Sequence, residues 1–474
     1  MSTTRSVARN TIYLSAAQGI RILLALALIL YIANFYGAVW QGKFSILLAF
    51  LNIFMVLASF GMPRLITREV ARDYDAGNRY FWSGLIAQGG TTLVFMVVMV
   101  IVVAIMPYPQ DTKQMLWLAV LALPLFSLYS LSGALLRGHE RMQYLVYAEV
   151  LSAAAQLVVA IALLSAGAGV LALAVIRIAG IGLAALVVLI SVVALRYIRW
   201  PRIDLRFSRH LLRESSDFFG MAAFDAALQR MDVIVLSVVA GEAATGIYDA
   251  AYQLIKVFMV FALSFTDAIY PALSRLYLQA RDKFAVVASK ALQYGLILIL
   301  PISVGATVLA PDLIALLYRR EDYATSSDVL AVLAWVLLAY FVQIFLTRAL
   351  MAGNRQRTAF HITAMMVGVG VVVLVVFTSL FGPVGTAWGM LLIYSVGAIL
   401  AWRASRGFKF SFGLACMVRP VLAAALMGAA LYFLPDLSLA LSVLLGAVIY
   451  AVLALGLRIF DQGDLQVLKA LVKK

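Results

Sequence analysis

One stretch of the sequence places several charged side chains inside an apolar segment. Residues 218–239 are mostly apolar and long enough to cross a bilayer as a helix, which takes about 20 residues. The segment nevertheless contains Asp225, Gln229, Arg230 and Asp232. A charge at the bilayer centre costs on the order of 2.5–3.5 kcal/mol, so such side chains need partners, water or a function. At about 100° per residue, Asp225, Gln229 and Asp232 share one helix face, and Arg230 points to the side.

Other cations lie deep in other apolar segments. Arg21 is about ten residues into the first one, or roughly 15 Å deep, with Gln18 on the same face. Lys256 has a similar depth in the eighth segment. The planar fork of arginine suits phosphate recognition, and a water-filled cationic site lowers the cost of bringing an anion into the membrane. We therefore predict that Arg21, Gln18, Arg230 and Lys256 bind an anionic substrate.

The carboxylates allow two interpretations. Asp225, Asp232 and Asp249 could bind Na⁺ or take up a proton and so couple an ion gradient to transport, because a carboxylate in a poorly hydrated site can sense protons. Alternatively, Asp225 or Asp232 forms an ion pair with Arg230 or Lys256 that only holds helices together. For Arg177, in the sixth segment, an internal ion pair is the favoured interpretation. Glu149 and Asp267 are expected at helix ends near the cytoplasmic surface.

Composition predicts an integral membrane protein. Of the 474 residues, 64% are hydrophobic and 12% are charged, whereas soluble domains have about 25% charged residues. The net charge of +15 would suggest a nucleic-acid partner in a soluble protein, but here it is better explained by membrane topology, and no nucleic acid is expected. The one cysteine and three scattered histidines exclude a disulfide framework and predict no metal site and no cofactor.

Hydrophobic segments predict an all-α protein with about fourteen membrane spans. The first is interpreted as a retained helix, because it is too long for the core of a signal peptide. The predicted spans are 11–36, 42–62, 80–106, 114–136, 142–166, 170–195, 216–240, 247–272, 285–309, 328–352, 358–381, 384–402, 418–434 and 438–459. Prolines at 124 and 301 are expected to kink spans four and nine.

Basic residues are distributed unevenly between the two sets of connections. Twenty-eight of the 37 basic residues lie in or beside the connections on one side of the membrane. Four lie on the other side: Lys43, Lys113, Arg319 and Arg320. The positive-inside rule therefore predicts an inner-membrane protein with both termini cytoplasmic. The largest basic connection, 196–215, carries six arginines and either lies on anionic lipid or is a solvated loop. A short interfacial helix is expected at the C-terminal end.

Three features recur in the two halves of the chain. A Gly-x4-Gly-x-aromatic loop occurs at Gly37 and again at Gly241, with a constant offset of 204 residues. Similar loops surround Gly138 and Gly353, and glycine-rich turns occur at 167–169 and 382–387. Each pair lies on one side of the membrane, which predicts two parallel repeats. The predicted domains are an N-terminal six-helix lobe (1–195), a basic linker (196–215), a C-terminal six-helix lobe (216–402), and two extra helices with a tail (403–474).

Several of these segments resemble a known family. Residues 10–13 (NTIY), 60–69 (FGMPRLITRE), 136–141 (LRGHER) and 246–252 (GIYDAAY) resemble the O-antigen flippases and related polysaccharide exporters of the multidrug/oligosaccharidyl-lipid/polysaccharide (MOP) superfamily. The resemblance implies two lobes around a central cavity lined by the first, second, seventh and eighth helices. It also implies movement of undecaprenyl-diphosphate-linked oligosaccharide from the cytoplasmic to the periplasmic leaflet, with membrane lipids, polysaccharide polymerases and assembly proteins as partners.

Other function classes fit the sequence less well. A drug exporter of the same superfamily would favour organic cations, and Arg21, Arg177 and Lys256 argue against that substrate. A membrane enzyme acting on lipid-linked sugars would need an extended periplasmic loop, and the longest such connection, 310–327, has about 18 residues. A non-transporting scaffold would leave the intramembrane charges unexplained. We therefore predict a transporter rather than an enzyme.

Overall fold

Helices account for nearly all of the structure. A computed structural model describes residues 2–200, 204–408, 410, 414–434, 438–457 and 459, and the side chains of all of these except 2–16, 217, 221 and 414–417. The α-helices within these residues are α1 Ser2–Tyr36, α2 Ala38–Ser59, α3 Met62–Arg72, α4 Gly77–Ile105, α5 Gln110–Ala119, α6 Ala122–Gly138, α7 Gln143–Ser165, α8 Leu171–Ala194, α9 Leu205–Val239, α10 Gly241–Gln279, α11 Arg281–Val308, α12 Ala310–Leu317, α13 Ser326–Ala352, α14 Gln356–Ser405, α15 Leu414–Tyr432 and α16 Leu439–Gly456.

The helices confirm the all-α prediction but not the number of spans. Among the described residues, 11 helical segments are long and apolar enough to cross a membrane, and Val418–Tyr432 is a shorter apolar helix. The predicted span 216–240 lies on α9, which is not one of the 11, and the predicted spans 358–381 and 384–402 are joined in α14. The short helix α12 occupies part of the predicted loop 310–327. The expected C-terminal interfacial helix lies outside the described residues.

Glycine and proline mark the breaks in the helices. Gly37 and Gly382 adopt positive φ values of 82° and 58°, which glycine tolerates because it has no Cβ. Gly382 thereby folds α14 into two arms. Pro124 lacks an N–H, so the carbonyl of Val120 loses its helical donor and instead accepts from the Leu123 N–H at 3.0 Å. The predicted interruption of span four is therefore the boundary between α5 and α6.

The loops after α6 and α13 have the same cap, which matches one of the repeated sequence features. Arg141 donates its N–H to the Leu136 carbonyl at 2.8 Å, and Arg355 donates to Leu350 at 2.9 Å. Both are six-residue closures of the Schellman type. In each loop the preceding residue has a left-handed backbone, with φ of 59° at Glu140 and 57° in the second loop. The two sequence motifs thus end their helices by one mechanism.

The chain divides into two compact units, Met1–Gly246 (unit 1) and Ile247–Lys474 (unit 2). The helices α1 to α9 and the start of α10 belong to unit 1, and the rest of α10 and helices α11 to α16 belong to unit 2. The lobe boundaries expected from the sequence, with a linker at 196–215, stay a prediction.

Unit 1 contains two apolar clusters with polar side chains between them. One cluster includes Phe50, Leu116 and Leu173, and the other includes Leu135 and Val188. Between them, buried hydroxyl and amide groups bond to each other: Gln88 donates to Ser130 at 2.9 Å, and Thr92 lies 2.6 Å from Ser127. A buried polar group without a partner is costly, so these pairs let unit 1 keep a polar layer inside an apolar bundle.

Unit 2 is built around α11 and α13. The two C-terminal helices α15 and α16 pack on α11, where the Tyr450 hydroxyl donates to the Ile297 carbonyl at 2.8 Å. A Cβ at Gly295 on α11 would overlap the ring of Phe341 on α13. The arms of α14 pack closely in the same way, since a Cβ at Gly397 would overlap Met366. Small residues thus set the helix spacing in this unit, as is common in membrane bundles.

The recurring Gly-x4-Gly motif forms a close helix crossing. A Cβ on Gly42 of α2 would overlap the backbone carbonyl oxygen of Glu242, and a Cβ on Gly246 would overlap that of Ala38. The offset of 204 residues that relates Gly42 to Gly246 also relates Ala38 to Glu242. The contact is therefore reciprocal, and each motif receives the backbone of the other. The aromatic residues that end the two motifs, Phe44 and Tyr248, are buried.

The basic connection 196–215 becomes helical at Leu205. Asp204 caps α9 by accepting from the Phe207 N–H at 2.9 Å, and the Arg79 guanidinium donates to its carboxylate at 2.8 Å. These bonds lower the pKa of Asp204, so the cap stabilises the fold at neutral pH and is lost as the pH falls through that lowered pKa. Leu211 lies on a buried face and Arg209 on an exposed one, so this part of α9 is amphipathic. Lipid contact stays a prediction.

The glycine crossing gives a direct test of helix packing. We expect Gly42→Ala and Gly246→Ala each to destabilise the protein by about 1–3 kcal/mol or more, because the new methyl group must displace a backbone rather than a flexible side chain. The measurement is reversible unfolding in detergent. Gly89→Ala, on a helix with nothing within 4 Å of the new Cβ, is the matched control and should be neutral or slightly stabilising. Equal effects at Gly42 and Gly89 would contradict the packing role.

Candidate functional site: an arginine cluster in unit 1

The predicted site residues are divided between the two units. Gln18, Arg21, Asp225, Arg230 and Asp232 belong to unit 1. The other two predicted site residues, Asp249 and Lys256, lie on α10 and belong to unit 2.

Arg21 lies in a polar network rather than alone in a cavity. On α1, its Nε donates to Gln18 Oε1 at 3.0 Å, which agrees with the predicted shared face. The same nitrogen lies 3.4 Å from Oε2 of Glu149 on α7. The Arg21 side chain remains 41% exposed and that of Glu149 33% exposed, so both stay accessible. Arg21 thus has a carboxylate partner, but not one of the aspartates considered in the sequence analysis.

Glu149 was expected near a helix end, and its carboxylate also makes contacts between helices. It lies in the second turn of α7 and accepts from the Tyr129 hydroxyl at 3.0 Å while it pairs with Arg21. Arg137, on α6 with Tyr129, lies close enough to interact electrostatically with Glu149. The carboxylate on α7 is therefore shared by groups from α1 and α6.

Arg177 extends the cluster to α8. Its Nη1 donates to Gln156 Oε1 at 3.0 Å, and Gln156 in turn donates to the Ser152 hydroxyl at 3.1 Å. The Nε of Arg177 is buried without a hydrogen-bond partner, and no carboxylate in the described part of the chain pairs with this residue. Arg21 is close enough to interact with it as a like charge. The internal ion pair favoured for Arg177 is therefore not found, and an amide takes that place.

The charged residues of α9 differ in burial. Arg230 is 5% exposed and Asp232 is fully buried, whereas Asp225 is partly buried and Gln229 is exposed. Asp232 Oδ1 accepts from the Val233 N–H at 2.8 Å. Although Asp225, Gln229 and Asp232 follow one helical face, they therefore do not share one environment. Their roles in substrate binding and ion coupling stay predictions.

In unit 2, Asp249 and Lys256 lie on α10. Both carboxylate oxygens of Asp249 accept from Gln253 Nε2, at 3.0 and 3.1 Å, and Asp249 is 3% exposed. Lys256 is partly buried. The Tyr318 hydroxyl donates to the Ala250 carbonyl at 3.1 Å and holds α10 against the segment after α12. The proposed ion-coupling role of Asp249 stays a prediction.

A second charged group in unit 1 was missed by the sequence analysis. Lys43, 5% exposed, forms ion pairs with Asp111 at the start of α5 and with Glu242 at the start of α10, the latter at 3.4 Å. The Thr112 hydroxyl donates to Glu242 as well. Sequence reasoning assigned Lys43 only to a connection between helices. The three chain segments that this group joins were all predicted to lie on one side of the membrane.

Sequence spacing contained a usable signal for Glu149. It lies six residues after the start of α7, or roughly 9 Å along the helix, while Arg21 was estimated at roughly 15 Å, which is about one helical turn deeper. The same depth estimate, applied to both residues, would have placed an acid and a base at comparable depth. No such signal exists for the Lys43 group, because its pairing depends on how α2, α5 and α10 meet.

Comparison with known proteins identifies the family. A family model described as polysaccharide biosynthesis protein matches residues 7–277, which is more than half of the chain. The chain belongs to the polysaccharide biosynthesis protein family. A second family model, MatE, matches residues 220–376. The family assignment confirms the resemblance to the MOP superfamily, and the helices make the chain a multi-pass membrane protein.

Two relatives are named as transporters. The chain is 21% identical over 395 residues to a protein of Haloferax volcanii named as a probable low-salt glycan biosynthesis flippase, with 78% of each chain covered. It is also 21% identical over 290 residues to a protein of Escherichia coli named "Putative O-antigen transporter", covering 60% of this chain and 69% of the other. Both names describe transporters rather than enzymes, in agreement with the predicted class.

Solved structures share the fold. The lipid II flippase MurJ, in an inward closed conformation, matches with a TM-score of 0.81 at 16% identity, covering 94% of this chain and 98% of that one. An inward-facing multidrug resistance MATE family transporter of the MOP superfamily matches with a TM-score of 0.67, also at 16% identity, covering 83% and 96%. At this identity the similarity shows a common fold.

The Lys43 group gives a prediction about stability. Lys43→Met leaves the largely buried carboxylate of Glu242 without its cation, so we expect a loss of roughly 3–5 kcal/mol in the free energy of unfolding. Adding Glu242→Gln to the same chain should recover much of that loss. A double-mutant cycle by reversible unfolding in detergent measures the coupling.

The matched control for this cycle is Lys113→Met. Among the residues that the structure describes, Lys113 donates only to the Ala104 carbonyl, at 2.9 Å, so its loss should cost about 1 kcal/mol or less. If the effects of the Lys43 and Glu242 variants simply add, the two side chains are not energetically coupled, and the proposed pairing is wrong.

Proposed function

We propose that this chain is a flippase for a polyprenyl-diphosphate-linked oligosaccharide. The substrate would be an O-antigen or other surface polysaccharide repeat unit on an undecaprenyl carrier, moved from the cytoplasmic to the periplasmic leaflet by alternating access. The observation that carries this proposal is the cluster in which Arg21 pairs with Glu149 of α7 while Arg177, which bonds to an amide, lies close enough to Arg21 to interact with it as a like charge. The family assignment and the named relatives agree with it.

The chemistry of the cluster suits a lipid-linked diphosphate. Burying such an anion in lipid without compensation is prohibitive, whereas guanidinium groups bind phosphate oxygens in pairs. Arg21 is partly exposed and can reach a ligand, and the partly buried Gln18 offers an amide N–H to bond with a sugar hydroxyl or a phosphate oxygen. The polyprenyl chain would remain in the lipid. Arg230 and Lys256 are proposed as further binding residues on the same chemical grounds.

Ion coupling is proposed for the buried carboxylates. The ground for this proposal is their burial, since Asp232 and Asp249 are nearly inaccessible and Asp225 is partly buried, and a poorly hydrated carboxylate can bind Na⁺ or take up a proton. Polysaccharide polymerases and other assembly proteins are proposed partners because they would receive the flipped lipid.

A drug exporter is the second candidate, because the MatE family model matches part of the chain and a multidrug transporter shares its fold. The charge of the unit 1 cluster separates the two proposals. A positive cluster attracts a diphosphate and repels an organic cation. Efflux of organic cations that persists when Arg21 is replaced, with no change in lipid-linked sugars, would favour the exporter.

Leaflet sidedness of lipid-linked oligosaccharide tests the flippase proposal. In cells lacking the protein, we expect undecaprenyl-diphosphate sugars to accumulate facing the cytoplasm. Complementation with Arg21→Ala or Lys256→Ala should restore export roughly 10- to 100-fold less well than the native chain, the size expected for losing a contact to a charged ligand. Arg72→Ala, which removes a cation with a 68% exposed side chain, should restore export fully.

The outcomes of this experiment are separable. Unchanged sidedness in the deletion strain, with no redundant transporter present, would overturn the flippase proposal. A block in the deletion strain that Arg21→Ala restores in full would leave the function standing and remove Arg21 from the site.

Orientation is a separate proposal. Basic residues predict an inner-membrane protein with both ends in the cytoplasm. A fluorescent protein that matures only in the cytoplasm should therefore be bright when fused after Lys474. A phosphatase that is active only in the periplasm should be active when inserted at Gly167, in the turn between α7 and α8. The reverse pattern would contradict the orientation.

A further inference from the structure

The carboxylate of Glu149 is the shared acceptor of a cluster with excess positive charge. Arg21 pairs with one of its oxygens at 3.4 Å, and the Tyr129 hydroxyl donates to the other at 3.0 Å. Arg137 interacts with the same carboxylate, and Arg177 lies near Arg21 as a like charge. Within the described residues, the cluster thus contains three guanidinium groups and one carboxylate, which Arg21 and Arg137 share while Arg177 bonds to the Gln156 amide, so two positive charges are left without a carboxylate of their own.

The Arg21–Glu149 pair has the geometry of a contact that can be exchanged. Its N–O distance of 3.4 Å exceeds the 2.7–2.9 Å of a strong charge-assisted hydrogen bond. Both side chains are about one-third or more exposed, so a ligand can approach the guanidinium. Arginine favours bidentate contacts, in which two of its N–H groups bond to one anion. Arg21 instead meets Glu149 through Nε alone, so a phosphate can offer it a better contact. If Arg21 turned to a ligand, Glu149 would keep the hydrogen bond from Tyr129 and would not be left without a partner.

We propose that Glu149 is a resident counter-ion that the diphosphate of the substrate displaces from Arg21. The inference rests on the proposed flippase function and assigns Glu149 as a positioning residue. In the empty site its carboxylate neutralises Arg21. A diphosphate diester carries one negative charge on each phosphate, which matches the two excess charges of the cluster, and a monophosphate diester does not. When Glu149 returns to Arg21, it favours release, so this residue sets both the charge selectivity and the off-rate.

Two variants should act in opposite directions. Glu149→Gln removes the competing charge and keeps an oxygen that can accept from Tyr129. It should therefore tighten binding of a diphosphate-linked sugar about tenfold, which is the size expected when one competing charged contact is lost, and it should slow release of the sugar. Tyr129→Phe removes the alternative partner of Glu149, holds the carboxylate on Arg21, and should weaken binding several-fold. Glu140→Gln makes the same charge change on an exposed loop and should leave binding unchanged.

The experiment measures binding and release by the full-length protein in nanodiscs of neutral lipid. The probes are N-acetylglucosamine linked to a polyprenyl diphosphate and the same sugar linked to a polyprenyl monophosphate. The gain in Glu149→Gln should be larger for the diphosphate than for the monophosphate, which a purely structural role would not produce. If Glu149→Gln does not fold, the direction of the Tyr129→Phe effect decides.

Each other result has one meaning. If Arg21→Gln weakens diphosphate binding and Glu149→Gln does not tighten it, Glu149 is not a competitor, and this inference fails while the flippase proposal stands. If Tyr129→Phe tightens binding, the exchange is likewise overturned. If the native chain binds neither lipid, the proposed function fails with it.

Discussion

The reciprocal contact between the start of α2 and the start of α10 is the constraint on which much of unit 1 depends. Two backbones approach so closely that no side chain fits at Gly42 or Gly246. Because a helix backbone is rigid, this contact fixes where the neighbouring side chains point. Lys43 follows the first glycine and meets Glu242, so the ion pairs with α5 and α10 are a consequence of the glycine contact. Backbone proximity thus places opposite charges close enough to compensate one another where they are buried.

Charge inside unit 1 follows two patterns. At the glycine crossing, one lysine meets two carboxylates, and the group is closed. In the arginine cluster, cations outnumber the carboxylate, and the side chains of Arg21 and Glu149 remain partly exposed. A closed group of opposite charges holds helices together, whereas an open group with excess charge of one sign can accept a ligand of the other sign. This difference is the physical basis for assigning structural and binding roles to the two groups.

The polar layer explains how the bundle tolerates these charges. Hydroxyl and amide groups such as Ser130, Gln88 and Gln156 lie between two apolar clusters and bond with one another. An arginine inserted into this layer meets oxygen acceptors rather than hydrocarbon, as Arg177 does through Gln156. Burial of apolar side chains in the two clusters stabilises the unit, and the polar layer between them supplies hydrogen-bond partners for charged side chains.

The sequence by itself determined the membrane class, the helical architecture, the recurring glycine motifs and the presence of charged side chains inside apolar segments. Hydrophobic periodicity and helix length are local properties, and glycine and proline act on the backbone within one turn, so the breaks at Gly37 and Gly382 followed from the residues. Arg21 and Gln18 were paired correctly because neighbours three residues apart meet on one helix. Only the tertiary structure decided which charges meet across helices. Glu149 and Arg21, 128 residues apart, and Lys43 and Glu242, 199 apart, depend on helix rotation and crossing, which no local pattern specifies.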